Sequence, residues 1–146
     1  MRFFTTEGPV RPDRHYSLPP LSRWHLDEVL DLISQEKYFL LHAPRQTGKT
    51  SCLLALMEHL NREGRYQAVY ANLEGAQTAR EDVARGLRTI CGAIGAAARL
   101  WVGEERLFEW TQAAWREQGA DGVLTGLLTR WSLASPRPIA LLLDEV

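Results

Sequence analysis

Residues 43–50 read APRQTGKT and fit the pattern GxxxxGKS/T, with Ala43 in place of the first glycine. Such a loop wraps a phosphate with backbone N–H groups, so nearby side chains must be absent or directed away, and Gly48 meets that need. Lys49 brings a mobile positive charge to the β- and γ-phosphates, and Thr50 offers a hydroxyl to Mg²⁺. The alternative is an ordinary strand-to-helix turn with an exposed lysine. The residues expected to surround the phosphates are Ala43, Pro44, Arg45, Gln46, Thr47, Gly48, Lys49 and Thr50.

A second pattern with chemical potential is LLLDE, at residues 141–145. A buried strand that ends in an acid brings a carboxylate to the carboxyl edge of a sheet, where ligands bind in open α/β folds. We expect Asp144 to hold Mg²⁺ through water and Glu145 to accept a proton from an attacking water. Taken alone, the pattern fits two solvated acids after a strand better, and only together with the phosphate loop upstream does it favour the functional interpretation.

Helices and strands of ordinary length would position both motifs. Apolar residues at helical spacing predict a helix after Ser22 and another over 50–63, which Gly64 is placed to end. Residues 1–22, rich in proline, predict an extended lead-in. Short apolar runs predict strands at 38–43, 67–74 and 139–144.

The stretch 76–134 is nearly all helical pattern. Thr78 and Glu81 have the spacing of a capping box, in which both side chains bond backbone N–H groups at a helix start. Further helices are predicted over 104–118 and from Asp121 onward. Apolar strands alternating with helices favour an α/β fold with a parallel sheet covered on both faces. The long stretch between the second and third strands predicts a helical insert on one side of that sheet.

Composition excludes several classes of protein. Seventeen basic and eighteen acidic residues give a net charge of −1, so there is no global basic field to recruit nucleic acid or anionic lipid. The longest uncharged stretch, Thr89 to Ala98, is shorter than the roughly 20 apolar residues a membrane span needs. The first residues lack an apolar run of signal-peptide length, and two cysteines suit a reducing compartment. We therefore expect a cytoplasmic protein with no membrane partner.

At these motifs the chain resembles a known family. APRQTGKT followed by LLLDEV resembles the Walker A and Walker B pair of the AAA-like ATPases. The runs FFTTEGPVRPDRHYSLPPL, EKYFLLHAPRQTGKT and VYANLEGAQTARED resemble prokaryotic ATP-binding proteins related to the AAA+ and STAND ATPases, although only the Walker motifs are specific. The resemblance implies a P-loop NTPase three-layer sandwich that is incomplete because later strands are absent. It also implies that Lys49 and Thr50 bind phosphate and Mg²⁺, that Asp144 binds Mg²⁺, and that Glu145 is the catalytic base, with Lys49 acting beside it.

The end of the chain bears on domain organisation. IALLLDEV stops at an apolar strand, whereas domains usually end in polar surface segments. We therefore expect 23–146 to be the N-terminal part of an ATPase domain that is truncated at the Walker B motif. The family's sensor residues, arginine finger and C-terminal modules would lie beyond Val146, so the 146 residues alone are expected to lack ATP turnover.

The leading functional prediction is an ATP hydrolase: ATP binding and, in the full-length protein, Mg²⁺-dependent hydrolysis that drives a conformational switch. Its partners would be ATP and either further copies of itself or C-terminal effector modules, while DNA receives no support from the charge. One alternative is a P-loop kinase or phosphotransferase, which the acidic pair of Asp144 and Glu145 disfavours because a kinase rarely needs a glutamate to activate water. Another is a non-catalytic nucleotide-binding interaction module, which the intact motif residues disfavour.

Overall fold

The computed structural model describes three segments of the chain, residues 26–35, 48–79 and 81–145. The predicted lead-in 1–22 and the predicted strand 38–43 lie outside the described residues. The chain divides into two compact units, Met1–His59 and Leu60–Val146, and each is described by itself.

Two of the described helices begin in the first unit. Helix α1 spans Leu26–Ser34 and buries Val29. Helix α2 spans Lys49–Glu63, so it begins in the first unit and ends in the second. Both predicted helices are confirmed, and so is the end of α2, since Gly64 adopts a φ of 80°. The apolar side predicted for α2 is buried and consists of Leu53, Leu56, Met57 and Leu60.

The second unit contains a two-stranded parallel sheet. Strand β1 spans Gln67–Asn72 and strand β2 spans Ile139–Asp144, paired in register from one end to the other. The Gln67 N–H donates to the Pro138 carbonyl at 2.9 Å. At the other end, the Leu73 N–H donates to the Asp144 carbonyl at 2.9 Å. The predicted strand 139–144 is confirmed, and the one predicted at 67–74 is confirmed with an earlier end.

The outer edge of β1 is covered by a side chain from α2. Backbone groups of successive residues in a strand point to opposite edges, and Gln67 bonds toward β2, so the backbone groups of Ala68 point away from β2. The Asn61 amide donates to the Ala68 carbonyl at 3.0 Å and accepts from its N–H at 2.8 Å. Ala68 is fully buried, so these two bonds satisfy groups that would be costly to leave without partners.

Helical structure fills the stretch between the strands. A 3-10 helix spans Glu74–Ala79, and helix α3 spans Val83–Val102. The predicted capping box at Thr78 and Glu81 is wrong. Helix α3 begins at Val83, and its N-cap is Asp82, whose carboxylate accepts from the Arg85 N–H at 3.0 Å. Thr78 instead donates its hydroxyl to the Gly75 carbonyl within the 3-10 helix.

Helix α4, Leu107–Ala134, doubles back at Gly119, which has φ 68° and ψ −165°. Arg130 pairs with Glu117 at 2.7 Å, and a Cβ added to Gly126 would lie 2.9 Å from the Ala114 Cβ. Residues twelve apart in a straight helix would be separated by about 18 Å. The two arms, 107–118 and 120–134, therefore run antiparallel, which confirms the predicted break between two helices.

The core of the second unit lies between one face of the sheet, α3 and both arms of α4. Burial in this core raises the pKa of the Cys91 thiol, because the charged form loses its hydration. The buried members of the core are Val69, Ala71, Cys91, Ile94, Ala97, Ala98, Leu107, Ala114, Val123, Leu127 and Trp131.

The prediction of a three-layer P-loop NTPase sandwich is wrong. Helices make up 73% of the described residues, whose sheet has only two parallel strands. The physical reason is the length of the helical stretch from 74 to 134, whose apolar residues recur at helical spacing and pack against a single sheet face. Among the described helices, none combines the length and apolarity needed to cross a membrane.

Candidate functional site

The described end of the phosphate-loop pattern begins at Gly48. Its φ is 83°, in the left-handed region that favours glycine. The Cys52 N–H donates to the Gly48 carbonyl at 2.9 Å, so the first hydrogen bond of α2 closes on this glycine. Lys49 and Thr50 consequently occupy the first turn of the helix, as the pattern predicts. The other loop residues predicted to bind phosphate lie outside the described residues: Ala43, Pro44, Arg45, Gln46 and Thr47.

The charges in the first turn of α2 favour an anion. The N-terminus of a helix carries a partial positive charge, and its backbone N–H groups point outward along the axis. The first turn of α2 contains no acidic residue and includes Lys49, so the side-chain charge has the same sign as the helix terminus. Ser51 and Cys52, which follow Thr50, are buried.

The acidic motif lies at the carboxyl end of β2, in the second unit. Asp144 is almost fully buried, with a relative exposure of 1%. Burying a carboxylate is costly unless it is hydrogen-bonded. The Tyr70 hydroxyl donates to Asp144 Oδ2 at 2.9 Å, and the Glu145 N–H donates to Asp144 Oδ1 at 3.0 Å. Both carboxylate oxygens therefore accept a hydrogen bond, one from a side chain of β1 and one from the backbone.

Glu145 adopts an unusual backbone conformation directly after β2. Its φ is 58°, which a residue with a side chain seldom adopts. Its carbonyl accepts a long bond of 3.4 Å from Gln77 Nε2, on the 3-10 helix. Strained residues of this kind cluster at binding and catalytic sites. The side chain is half-buried, so part of it faces solvent.

The predicted residues thus fall into two groups. Gly48, Lys49 and Thr50 lie together at the start of α2, and Asp144 and Glu145 lie together at the end of β2. Sequence reasoning missed Tyr70, the side-chain donor to Asp144. Its position in an apolar strand predicts burial, and a buried tyrosine usually directs its hydroxyl to a polar partner. Naming that partner requires the register of two strands whose paired residues lie far apart in sequence.

An open groove of about 640 Å³ borders the 3-10 helix and the start of α3. Glu74, Glu81 and Asp82 line it together with Arg85. Among its described lining residues, three carboxylates face one guanidinium, a balance that disfavours a polyphosphate.

No protein-family model, curated protein or solved structure matches the chain.

Proposed function

We propose that the chain binds ATP together with Mg²⁺ and that residues 43–50 with the first turn of α2 hold the phosphates. The observation that carries the proposal is the start of α2. Gly48 has the positive φ that a phosphate-wrapping turn uses, and Lys49 and Thr50 follow at once in the first helical turn. The sequence pattern and this local geometry support the same chemistry.

Each residue of the first turn has a distinct task in this proposal. Lys49 places an ammonium group against the phosphate oxygens, a charge-assisted contact of the stronger kind. Thr50 supplies a hydroxyl oxygen for Mg²⁺. Gly48 lets the backbone approach the phosphate closely, because a Cβ is absent. The helix terminus adds its partial positive charge to that of Lys49.

We assign the Mg²⁺ carboxylate to Asp144. Mg²⁺ prefers oxygen ligands and is usually held by one or two carboxylates together with substrate phosphates. The carboxylate of Asp144 matches that preference. When bound, Mg²⁺ would neutralise phosphate charge as the terminal phosphate is transferred.

Glu145 is the proposed base that accepts a proton from the attacking water, which makes the reaction ATP hydrolysis. Its half-buried carboxylate lies one residue beyond Asp144. Beside ATP, we propose further copies of the chain or effector modules of the same protein as partners, and the cytoplasm as the location. Release of ADP without any acceptor distinguishes this function from that of a kinase or other phosphotransferase.

Equilibrium binding of a fluorescent ATP analogue to the 146-residue chain tests the proposal. Lys49→Ala should weaken the affinity about 10–100-fold, because a hydrogen bond to a charged group contributes about 1.5–3 kcal/mol. Arg62→Ala removes a basic residue from the opposite end of the same helix and is the matched control. Equal affinity of Lys49→Ala and the unmodified chain would contradict the proposal.

Substitution of Glu145 separates binding from chemistry. Glu145→Gln keeps the shape of the side chain and should retain the affinity for ATP with Mg²⁺. In any form of the protein that turns over ATP, the rate should fall by about 10²–10⁴, the usual contribution of a general base. An unchanged rate would mean that another group accepts the proton.

A further inference from the structure

We propose that Tyr70 is a positioning residue that fixes the Asp144 carboxylate for Mg²⁺, an inference that rests on the proposed function. Tyr70 lies on β1 and Asp144 lies on β2. The phenol would act through Asp144 without contacting the metal itself.

The register of the sheet explains why these two side chains meet. Asp144 pairs with Asn72, and Tyr70 precedes Asn72 by two positions on the same sheet face. Diagonal neighbours on one face lie within reach of a long aromatic side chain. The ring of Tyr70 is buried, and its hydroxyl lies 2.9 Å from Asp144 Oδ2.

The bond from Tyr70 restricts the orientation of the carboxylate. With the Glu145 N–H on Oδ1 and the Tyr70 hydroxyl on Oδ2, rotation about the bond to the carboxyl group would break both contacts. The Tyr70 hydroxyl comes from β1 and the Glu145 N–H from the residue that follows β2, so the bond from Tyr70 ties the carboxylate to the neighbouring strand. Groups that orient a metal ligand in this way usually affect metal affinity about 10–100-fold.

The Tyr70 hydroxyl also has a structural effect, because it hydrogen-bonds a buried carboxylate. If the hydroxyl were purely structural, its removal would lower the melting temperature and would change the affinity for nucleotide by the same factor with and without Mg²⁺. A positioning role predicts instead that only the magnesium-dependent part of the affinity changes. The two roles are therefore separated by measuring binding in the presence and absence of Mg²⁺.

The experiment measures binding of the fluorescent ATP analogue to the 146-residue chain in excess EDTA and across a magnesium titration. Tyr70→Phe removes only the hydroxyl. Tyr66→Phe makes the same change at a half-buried tyrosine just before β1 and is the matched control. Asp144→Asn tests the ligand itself, and thermal melts show that each variant is folded.

We expect Tyr70→Phe to bind the analogue normally in EDTA while the magnesium midpoint rises about 10–100-fold, and Tyr66→Phe to match the unmodified chain. In the Asp144→Asn background, Tyr70→Phe should shift the midpoint no further, because Tyr70 acts through that carboxylate. A normal midpoint for Tyr70→Phe alongside a shifted one for Asp144→Asn overturns this inference and leaves the proposed function standing. Equal loss of affinity with and without metal also overturns it, and failure of the unmodified chain to bind the analogue overturns both proposals.

Discussion

The two faces of the β1–β2 sheet are stabilised by different interactions. One face contributes Val69 and Ala71 to a core of apolar side chains from α3 and the two arms of α4. The other face also buries Ala68, Ala140 and Leu142, but at the carboxyl end of the strands it carries a buried polar pair, Tyr70 and Asp144. We call the first the helical face and the second the polar face.

The contrast indicates where function is expected. The helical face gains free energy from burial and close packing, to which any apolar residue of suitable volume can contribute. On the polar face a buried carboxylate adds a desolvation cost, and it requires particular partners with particular geometry. A buried polar pair is thus poorly explained by packing alone, whereas a binding role accounts for its position at the end of a parallel strand.

The largest effect on stability is expected on the helical face. Leu127 is fully buried in the core, so Leu127→Ala should lower the free energy of unfolding by about 2–5 kcal/mol. Leu133, on the same arm of α4, is 83% exposed, and Leu133→Ala should stay within about 0.5 kcal/mol of the unmodified chain. Urea denaturation measures both variants. Equal losses would contradict the description of the helical face.

Substitution at the turn of α4 tests whether the stability of the helical face depends on the chain reversal at Gly119 as well as on packing. Gly119→Ala should destabilise by about 1–3 kcal/mol, because a side chain disfavours its backbone conformation. Gly92→Ala, inside α3, should instead stabilise by about 0.5–1 kcal/mol. At either position an added Cβ would meet nothing within 4 Å, so the difference isolates backbone conformation from steric contact. If both variants changed the free energy of unfolding in the same direction, the chain reversal at Gly119 would be contradicted.

A smaller loss is expected on the polar face. Tyr70→Phe preserves the buried ring and removes the hydrogen bond to the Asp144 carboxylate, so the free energy of unfolding should fall by about 1.5 kcal/mol, the lower end for a bond to a charged group. The same change at Tyr66, for which the described residues show no side-chain hydrogen bond, should have little effect. The comparison would fail if Tyr70→Phe were as costly as Leu127→Ala in the same urea series.

The smallest effect concerns the polar link between α3 and α4, residues 103–106. Hydrogen bonds from the Arg106 side chain to Glu104 hold the pKa of that carboxyl below its ordinary value of 4.5. Because the folded pKa is lowered, this stabilisation is present above the unfolded pKa and disappears as the pH falls through the folded one.

Melting temperatures from neutral pH to well below 4.5 test this link. Glu104→Gln should lower the melting temperature slightly at neutral pH, and the difference should vanish in acid. Glu105→Gln removes a neighbouring charge of the same sign and is the control. A difference for Glu104→Gln that stays constant with pH would exclude the electrostatic explanation.

Local structure was predictable where the apolar pattern is regular. The pattern over 50–63 predicts α2 within one residue at its start, and the apolar run 139–144 predicts β2 at its observed bounds. The start of α3 was not predictable by the same rule, because Thr78 and Asp82 are both capping residues. Only the structure shows that the chain from Glu74 to Ala79 forms a 3-10 helix and leaves the cap to Asp82.

Long-range features were beyond sequence reasoning. The motifs favoured a three-layer sandwich, whereas the described residues form a largely helical layer on a two-stranded sheet. In the site, Lys49, Thr50 and Asp144 were proposed from their motifs alone. Tyr70 was missed because its partner depends on a strand register that local sequence does not fix. The edge contact of Asn61 with Ala68 was missed for a related reason, since it depends on how α2 meets β1.

Binding of ATP compared with adenosine to the unmodified chain, with Mg²⁺ present, tests the central claim most directly. If Gly48, Lys49 and Thr50 hold the phosphates, most of the affinity must come from the triphosphate. Two charge-assisted contacts of at least 1.5 kcal/mol each predict that ATP binds more than about 100-fold tighter than adenosine. Equal affinities, or no binding of ATP, would contradict the account.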